Sequence, residues 1–176
     1  NGSGKSTFFN LITGVYQPDK GSFIEFNKVD ITDKPAHFIA AQGLARTFQL
    51  LRLYGELSVL QNVMVGYHPH TKYGLLAPLF MGAEVRRQDK LVKAEMMELL
   101  EFIGLAEHAE IPAAELSGGQ RRLLALGRAI AMRPKMLLLD EPGAGLSPVN
   151  VDNLMATIMT LKERYNLTII VVEHIL

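Results

Sequence analysis

The sequence predicts an α/β fold built on a parallel sheet, and three observations predict it. The chain opens on Asn1-Gly2-Ser3-Gly4-Lys5-Ser6-Thr7, the second half of a phosphate loop, a pattern that leads from a strand into a helix. Met136-Leu137-Leu138-Leu139 is a continuous apolar run closed by Asp140 and Glu141, as expected of a strand buried on both faces. Between Met136 and Val172 an apolar run, an amphipathic segment and a second apolar run follow in order. That order reads as one βαβ unit, expected to be right-handed.

The other elements follow along the chain. Residues 6–12 read as the helix that leaves the phosphate loop, closed by Gly14 as a left-handed cap. Over 21–30 the alternation is partial: Ile24 and Phe26 alternate with Glu25 and Asn27, while Phe23 and Val29 fall on the opposite face, which predicts a strand. Asp33 and Pro35 mark the start of a short helix through Ala41, ended by Gly43. Residues 84–103 are helical, with Val85, Val92, Met96, Leu99 and Ile103 on one face and Arg86, Arg87, Lys90, Lys93, Glu95 and Glu98 elsewhere. Gly104 ends that helix. The next opens at Ser117, carries Leu123, Leu124, Leu126 and Ile130, and stops before Pro134. Ser147 caps a further helix with Pro148 at its first position and Val151, Leu154, Ile158 and Leu161 turned inward. Residues 167–172 return as a second buried strand.

Bulk properties narrow the classes of function. At 176 residues, 48% hydrophobic and 20% charged, the chain has the length of one domain and can bury a core. Lys and Arg (18) balance Asp and Glu (18), which argues against a dedicated nucleic-acid surface. The absence of cysteine excludes disulfides and thiolate metal sites and fits a reducing cytosol. No apolar run approaches the roughly 18 residues of a membrane-spanning helix, and no secretory signal is visible. The first glycine of G-x-x-x-x-G-K-[ST] would fall before Asn1, and the chain stops at Leu176 directly after a strand. The sequence is therefore expected to be a fragment, without the buried strand that feeds the phosphate loop.

Each chemical motif has an ordinary alternative when taken alone. Across Asn1, Gly2, Ser3, Gly4, Lys5, Ser6 and Thr7, glycines let backbone N–H groups turn around phosphate oxygens, and a helix N-terminus favours negative charge. Lys5 would reach the β- and γ-phosphates, and the Ser6 hydroxyl would coordinate magnesium. The alternative is a plain Gly-Ser turn. Asp140 would hold magnesium through its water shell, and Glu141 would align or deprotonate the water that attacks the γ-phosphate; the alternative is an acidic pair capping the next helix. Leu116-Ser117-Gly118-Gly119-Gln120 places an N-capping serine and two glycines at a helix start, open to close approach by an anion, or else is a plain capped helix. His174, after a strand, can reach a γ-phosphate or is a surface residue. Gln49 either ligates magnesium or positions water, or is a solvated loop amide. Phosphate loop, glycine-rich helix start and carboxylate-tipped strand, in that order, point together to ATP binding and hydrolysis.

These residues resemble the ATP-binding-cassette (ABC) ATPases. Phosphate loop, Gln49, Leu116-Ser117-Gly118-Gly119-Gln120, Asp140-Glu141 and His174 stand in that family's order and span nearly the whole chain. The resemblance implies a nucleotide-binding domain with a RecA-like P-loop core and a helical subdomain over about 50–133, truncated at both ends. It also implies a dimer in which each ATP lies between one phosphate loop and the partner's helix start at Ser117, Gly118, Gly119 and Gln120. Catalytic roles then fall to Glu141, His174 and Gln49, and magnesium to Ser6, Gln49 and Asp140.

Within the family, Gly43-Leu44-Ala45-Arg46-Thr47-Phe48-Gln49, Glu56-Leu57-Ser58-Val59 and Glu141-Pro142-Gly143-Ala144-Gly145-Leu146-Ser147-Pro148 resemble the ATP-binding subunits of branched-chain amino-acid importers. That implies a motor subunit at the cytoplasmic face of the cell membrane. Its partners would be a second ATPase subunit (the same or a different chain), transmembrane permease subunits and, indirectly, a solute-binding protein, with no nucleic acid. Ser147 departs from the aspartate that many members carry there, a position associated with communication across the dimer. The aromatic residue that stacks on adenine would precede Asn1. The alternatives are an ABC ATPase acting on nucleic acid or ribosomes, whose coiled-coil insertions, tandem cassettes or basic extensions are not seen, and a non-catalytic fragment. The apolar run Leu75-Leu76-Ala77-Pro78-Leu79-Phe80 either packs within the helical subdomain or docks a membrane subunit.

Overall fold

The structure, a computed structural model, describes residues 4–47, 53–68 and 82–173, with the backbone alone at 83–85. The chain divides into two compact units, Asn1–Gln49 with Pro134–Leu176, and Leu50–Arg133.

In the first unit, helix α1 (Lys5–Ile12) begins at Gly4, which sits in the left-handed region at φ 78°. Phe9 is the residue that α1 buries. The hydroxyl of Thr13 donates to the Phe9 carbonyl at 2.6 Å, and Gly14 then turns the chain at φ 69°. A Cβ at Gly14 would lie 2.6 Å from the Lys34 carbonyl oxygen, so glycine is required there on both counts. The segment read as one strand is instead a tight hairpin of β1 (Glu25–Phe26) and β2 (Val29–Asp30). Asn27 and Lys28, both at positive φ, form the turn, and that geometry matches the twist of paired strands. Helix α2 (Ala36–Ala41) follows Pro35 and ends before Gly43 at φ 100°.

Among the described residues three parallel strands in the order β3-β4-β5 form the main sheet: β3 (Leu44–Thr47), β4 (Met136–Asp140) and β5 (Thr168–Val172). Leu44 pairs with Met136, and Met136 with Thr168. β4 is central, and Leu137, Leu138 and Leu139 are at most 1% exposed. Each contributes about 1.5–3 kcal/mol of burial. Leu138 packs with Phe9, Phe26, Ile31, Ile39 and Leu44 in one core cluster that fixes α1 against the sheet.

β5 differs from expectation. It is only partly buried, with Val171 39% exposed, because among the described residues β4 pairs it along one edge alone. Between β4 and β5 runs α6 (Pro148–Tyr165), which buries Val151, Leu154, Ile158 and Leu161 as the periodicity predicts. Ser147 holds the N-cap position, but its hydroxyl makes no capping bond; Pro148 at N1 sets the helix start instead.

The second unit is helical. α3 (Val59–Tyr67) has a reciprocal capping box between Ser58 and Gln61 and was not foreseen. α4 (Gly82–Phe102) buries Met96 and Leu99, and Ile103 follows buried at its end. α5 (Gly118–Ala131) buries Leu124, Leu126 and Ile130. Residues 69–81, including the apolar run at 75–80, lie outside the described residues.

Candidate functional site

The first unit gathers several of the expected residues at one end of the sheet. Gly4 opens α1, and among the described residues no side chain caps the helix, so its first-turn N–H groups suit an external acceptor. A Cβ at Gly4 would meet nothing within 4 Å. Ser6 and Thr7 are exposed there. The Lys5 ammonium donates to the Glu173 carbonyl at 3.2 Å, which sets it beside the end of β5.

β4 delivers its carboxylates to the same end. Asp140 pairs with Val172 in the parallel register, and the Glu141 N–H donates to the Val172 carbonyl at 2.8 Å. Glu141 has φ 47°, a left-handed conformation that a glutamate adopts only where its surroundings impose it. The turn that follows supplies those surroundings. The Glu173 carboxylate accepts the Gly143 N–H at 2.8 Å, and the Ala144 N–H donates to the Glu141 carbonyl at 3.1 Å. A Cβ at Gly143 would lie 3.1 Å from Glu173 Oε1 and 3.3 Å from Val151 Cγ2, so this turn is closely packed.

Residues 117–120 belong to the second unit. Ser117 caps α5: its hydroxyl accepts the Gln120 N–H at 3.3 Å, while Gln120 Oε1 accepts the Ser117 N–H at 2.9 Å. Gln120 Nε2 lies 2.7 Å from His108 Nε2, which fixes the far side of the amide. A Cβ at Gly118 or Gly119 would meet nothing within 4 Å. The sequence reading described this cap without His108, which the chain brings in from a 3-10 turn over Ala106–His108. Asn1, Gly2, Ser3, Gln49 and His174 lie outside the described residues.

Sequence comparison then decides the family. The sequence pattern described as ABC transporter matches residues 1–144. This chain belongs to the ABC transporter family. It is 40% identical over 174 residues to the high-affinity branched-chain amino acid transport ATP-binding protein BraF of Pseudomonas aeruginosa, covering 99% of this chain and 68% of that protein. Against LivG of Escherichia coli K12, named in the same terms, identity is 37%, with the same coverage. A crystal structure of an ATP-binding cassette of an ABC transporter in its ADP conformation superposes with a TM-score of 0.79 at 34% identity. That likeness covers 100% of this chain and 68% of the other. The fold is thus an α/β P-loop ABC domain.

A nucleotide and magnesium fit the residues present in this ABC domain. The uncapped start of α1 and the open space at Gly4 suit phosphate oxygens. The recorded Lys5 partner is a neutral carbonyl that a phosphate oxygen can replace. Among the described residues Asp140 uses Oδ2 alone in an ion pair, with Arg46 at 2.7 Å, which leaves Oδ1 for a hydrated cation. Arg46, Asn10 and Glu173 are contacts of this site that sequence reading missed. A lone arginine between apolar Ala45 and the sheet-bound Thr47 is a signal that could have found the first, since a buried guanidinium calls for a carboxylate.

Proposed function

We propose that this chain is the ATP-hydrolysing part of a motor subunit that drives an importer of branched-chain amino acids. The observation that carries this is the 40% identity to BraF over 99% of the chain, together with a sheet end that brings the Asp140–Glu141 pair and Lys5, from the start of the phosphate-loop helix, to the end of β5. The helical unit 50–133 serves as its helical subdomain.

In this reading Lys5 leaves the Glu173 carbonyl for the β- and γ-phosphates, and residues 1–7 wrap the phosphate chain with backbone N–H groups. Ser6, Asp140 and Gln49 would hold magnesium, which would supply neutralisation of phosphate charge. Glu141 aligns the attacking water and takes its proton as oxygen bonds to the γ-phosphorus and the bond to the bridging oxygen breaks. The left-handed backbone at Glu141 supports that role, because it sets the direction in which the side chain leaves the turn at the end of β4. His174 and Gln49 complete the γ-phosphate end.

Residues 117–120 act on the ATP of a second ATPase subunit. Gly118 and Gly119 support this, since among the described residues nothing lies within 4 Å of where their Cβ atoms would be. Transmembrane permease subunits at the cytoplasmic face of the membrane would receive the work, with a solute-binding protein delivering the cargo. Uptake of labelled leucine, isoleucine and valine by the complete transporter tests the assignment. Import of a sugar or metal, with no response to aliphatic amino acids, would remove it.

A further inference from the structure

Arg46 is the one charged side chain in the Ala45-Arg46-Thr47-Phe48-Gln49 stretch, and the mechanism above gives it no task. It projects from β3 with its side chain 8% exposed, against an Asp140 side chain that is also 8% exposed. Nη2 donates to Asp140 Oδ2 at 2.7 Å and Nη1 donates to Asn10 Oδ1 at 2.6 Å. The guanidinium carbon lies 5.4 Å from the centroid of the Phe9 ring. Asn10 and Phe9 belong to α1, the helix that begins at Lys5 and Ser6. One planar cation therefore spans β3, the end of β4 and the phosphate-loop helix.

Cohesion alone does not call for this arrangement. The apolar cluster of Phe9, Leu44 and Leu138 already joins the same three elements, and a buried ion pair is weak as a source of stability. Its distinctive property is direction. The guanidinium fork sends its two terminal nitrogens to two acceptors at fixed angles, and the Phe9 ring limits how far its plane can turn. The pair also offsets much of the Asp140 charge, so the pull of this carboxylate on a hydrated cation depends on where Oδ1 points.

We propose that Arg46 is a positioning residue for the magnesium-holding carboxylate, an assignment that rests on the magnesium-dependent ATPase proposed above. It holds Asp140 at a set place relative to α1, and hence to Ser6, so that both magnesium-holding side chains are arranged before the metal arrives. The subgroup-like stretch before Gln49 thereby gains a physical purpose.

The test uses the full-length protein with Mn2+ as a paramagnetic probe, titrated by electron paramagnetic resonance in the presence of ADP. Partners behind a metal ligand typically set affinity by about ten- to a hundredfold, so Arg46→Met should weaken Mn2+ binding by about tenfold. ADP affinity in excess chelator should stay at the parent value, because the phosphate loop is intact. Arg46→Lys should recover part of the loss, since an ammonium can reach one acceptor but cannot fork to both. Asn10→Ala loosens the α1 end of the link while leaving the ion pair, and should weaken Mn2+ binding in the same direction at an unchanged melting temperature.

Unchanged or tighter Mn2+ binding in Arg46→Met would overturn the proposal, the second outcome showing a merely competing cation. Equal loss of metal-free ADP binding would show a purely structural role and overturn it too. If Arg46→Met does not fold, parent-like Mn2+ affinity in Asn10→Ala overturns the proposal by itself. A parent protein that binds no Mn2+ with ADP would instead bring down the ATPase assignment, and this one with it.

Discussion

A Gly119→Ala substitution in the full-length protein is expected to stabilise the fold and slow the enzyme. Gly119 lies in the first turn of α5, and an added Cβ would meet nothing within 4 Å. Its φ is not in the left-handed region, so alanine can adopt the same backbone. Glycine within a helix is worse than alanine by about 0.5–1 kcal/mol. The gain should be near the lower end so close to the helix start, roughly 0.5 kcal/mol. At about 2–4 °C per kcal/mol for a chain of this size, the melting temperature should rise by about 1–2 °C. Turnover should nevertheless fall, because the methyl group fills the space through which a phosphate would approach the helix start. Gly66→Ala is the internal control. There the Cβ would overlap the Arg128 carbonyl oxygen and stand 3.0 Å from Arg128 Cγ and 3.1 Å from Ala131 Cβ, so α3 must back away from α5. Overpacking of about 1–3 kcal/mol outweighs a propensity gain of about 1 kcal/mol, and the melting temperature should drop by a few degrees. Differential scanning calorimetry without nucleotide, paired with a phosphate-release assay, reads both. A lower melting temperature for Gly119→Ala would mean that the fold itself packs against this position. A higher one with undiminished turnover would mean that nothing comes to the open space, and residues 117–120 would lose their assigned role.

Three further outcomes are expected. Glu141→Gln should nearly abolish phosphate release while preserving ATP binding, because it keeps the shape and removes the proton acceptor; equal turnover would dismiss Glu141 as the base. Ser117→Arg chains and Lys5→Ala chains, each inactive alone, should recover partial activity when mixed, since one composite site per heterodimer is intact; no recovery despite proven heterodimers would argue for sites complete within one chain. Asn62→Asp should cost about 3–5 kcal/mol, the range for an unpaired buried charge. Asn62 is 0% exposed, and its Nδ2 donates to the carbonyls of Tyr54, Leu57 and Ser58, which a carboxylate cannot do. A parent-like thermal melt would show that this amide does not hold the turn before α3.

The parts of the fold that sequence reading anticipated are those with a sustained period. α6 shows its buried face as Val151, Leu154, Ile158 and Leu161, and β4 is a run of leucines that needs burial on both sides. What it missed is short or mixed. β3 is a four-residue strand with a charged member, Arg46, and no alternation to display. α3 carries three valines and a glycine, Val59, Val63, Val65 and Gly66, a composition that favours neither helix nor strand. Its start was legible all the same, since Ser58 and Gln61 have the spacing of a capping box. The β1–β2 hairpin hid behind Asn27-Lys28, because lysine gives no hint of a positive φ. The exposure of β5 depends on which strands lie beside it, and that is a property of the sheet rather than of residues 168–172.

The site divides along the same line, with a functional consequence. Motif residues such as Gly4, Lys5 and the Asp140–Glu141 pair are local in sequence and could be read directly. The residues that hold them are distant: Arg46 reaches Asn10 across 36 positions and Asp140 across 94, and Glu173 reaches Gly143 across 30. No periodicity encodes such pairs. Their strengths are also unequal. Asp140 is gripped by a charge-assisted bond of 2.7 Å in a buried setting, whereas Lys5 rests on a neutral carbonyl at 3.2 Å. Both bonds have an ionised donor, but only the first also has an ionised acceptor and so adds attraction between opposite charges at short range. A phosphate can therefore draw Lys5 away at little loss, while displacing Asp140 would break its ion pair with Arg46 and strand a buried charge. On the proposed chemistry this asymmetry has a direction: the lysine must travel to each incoming nucleotide, and the carboxylate must already be where the metal will sit.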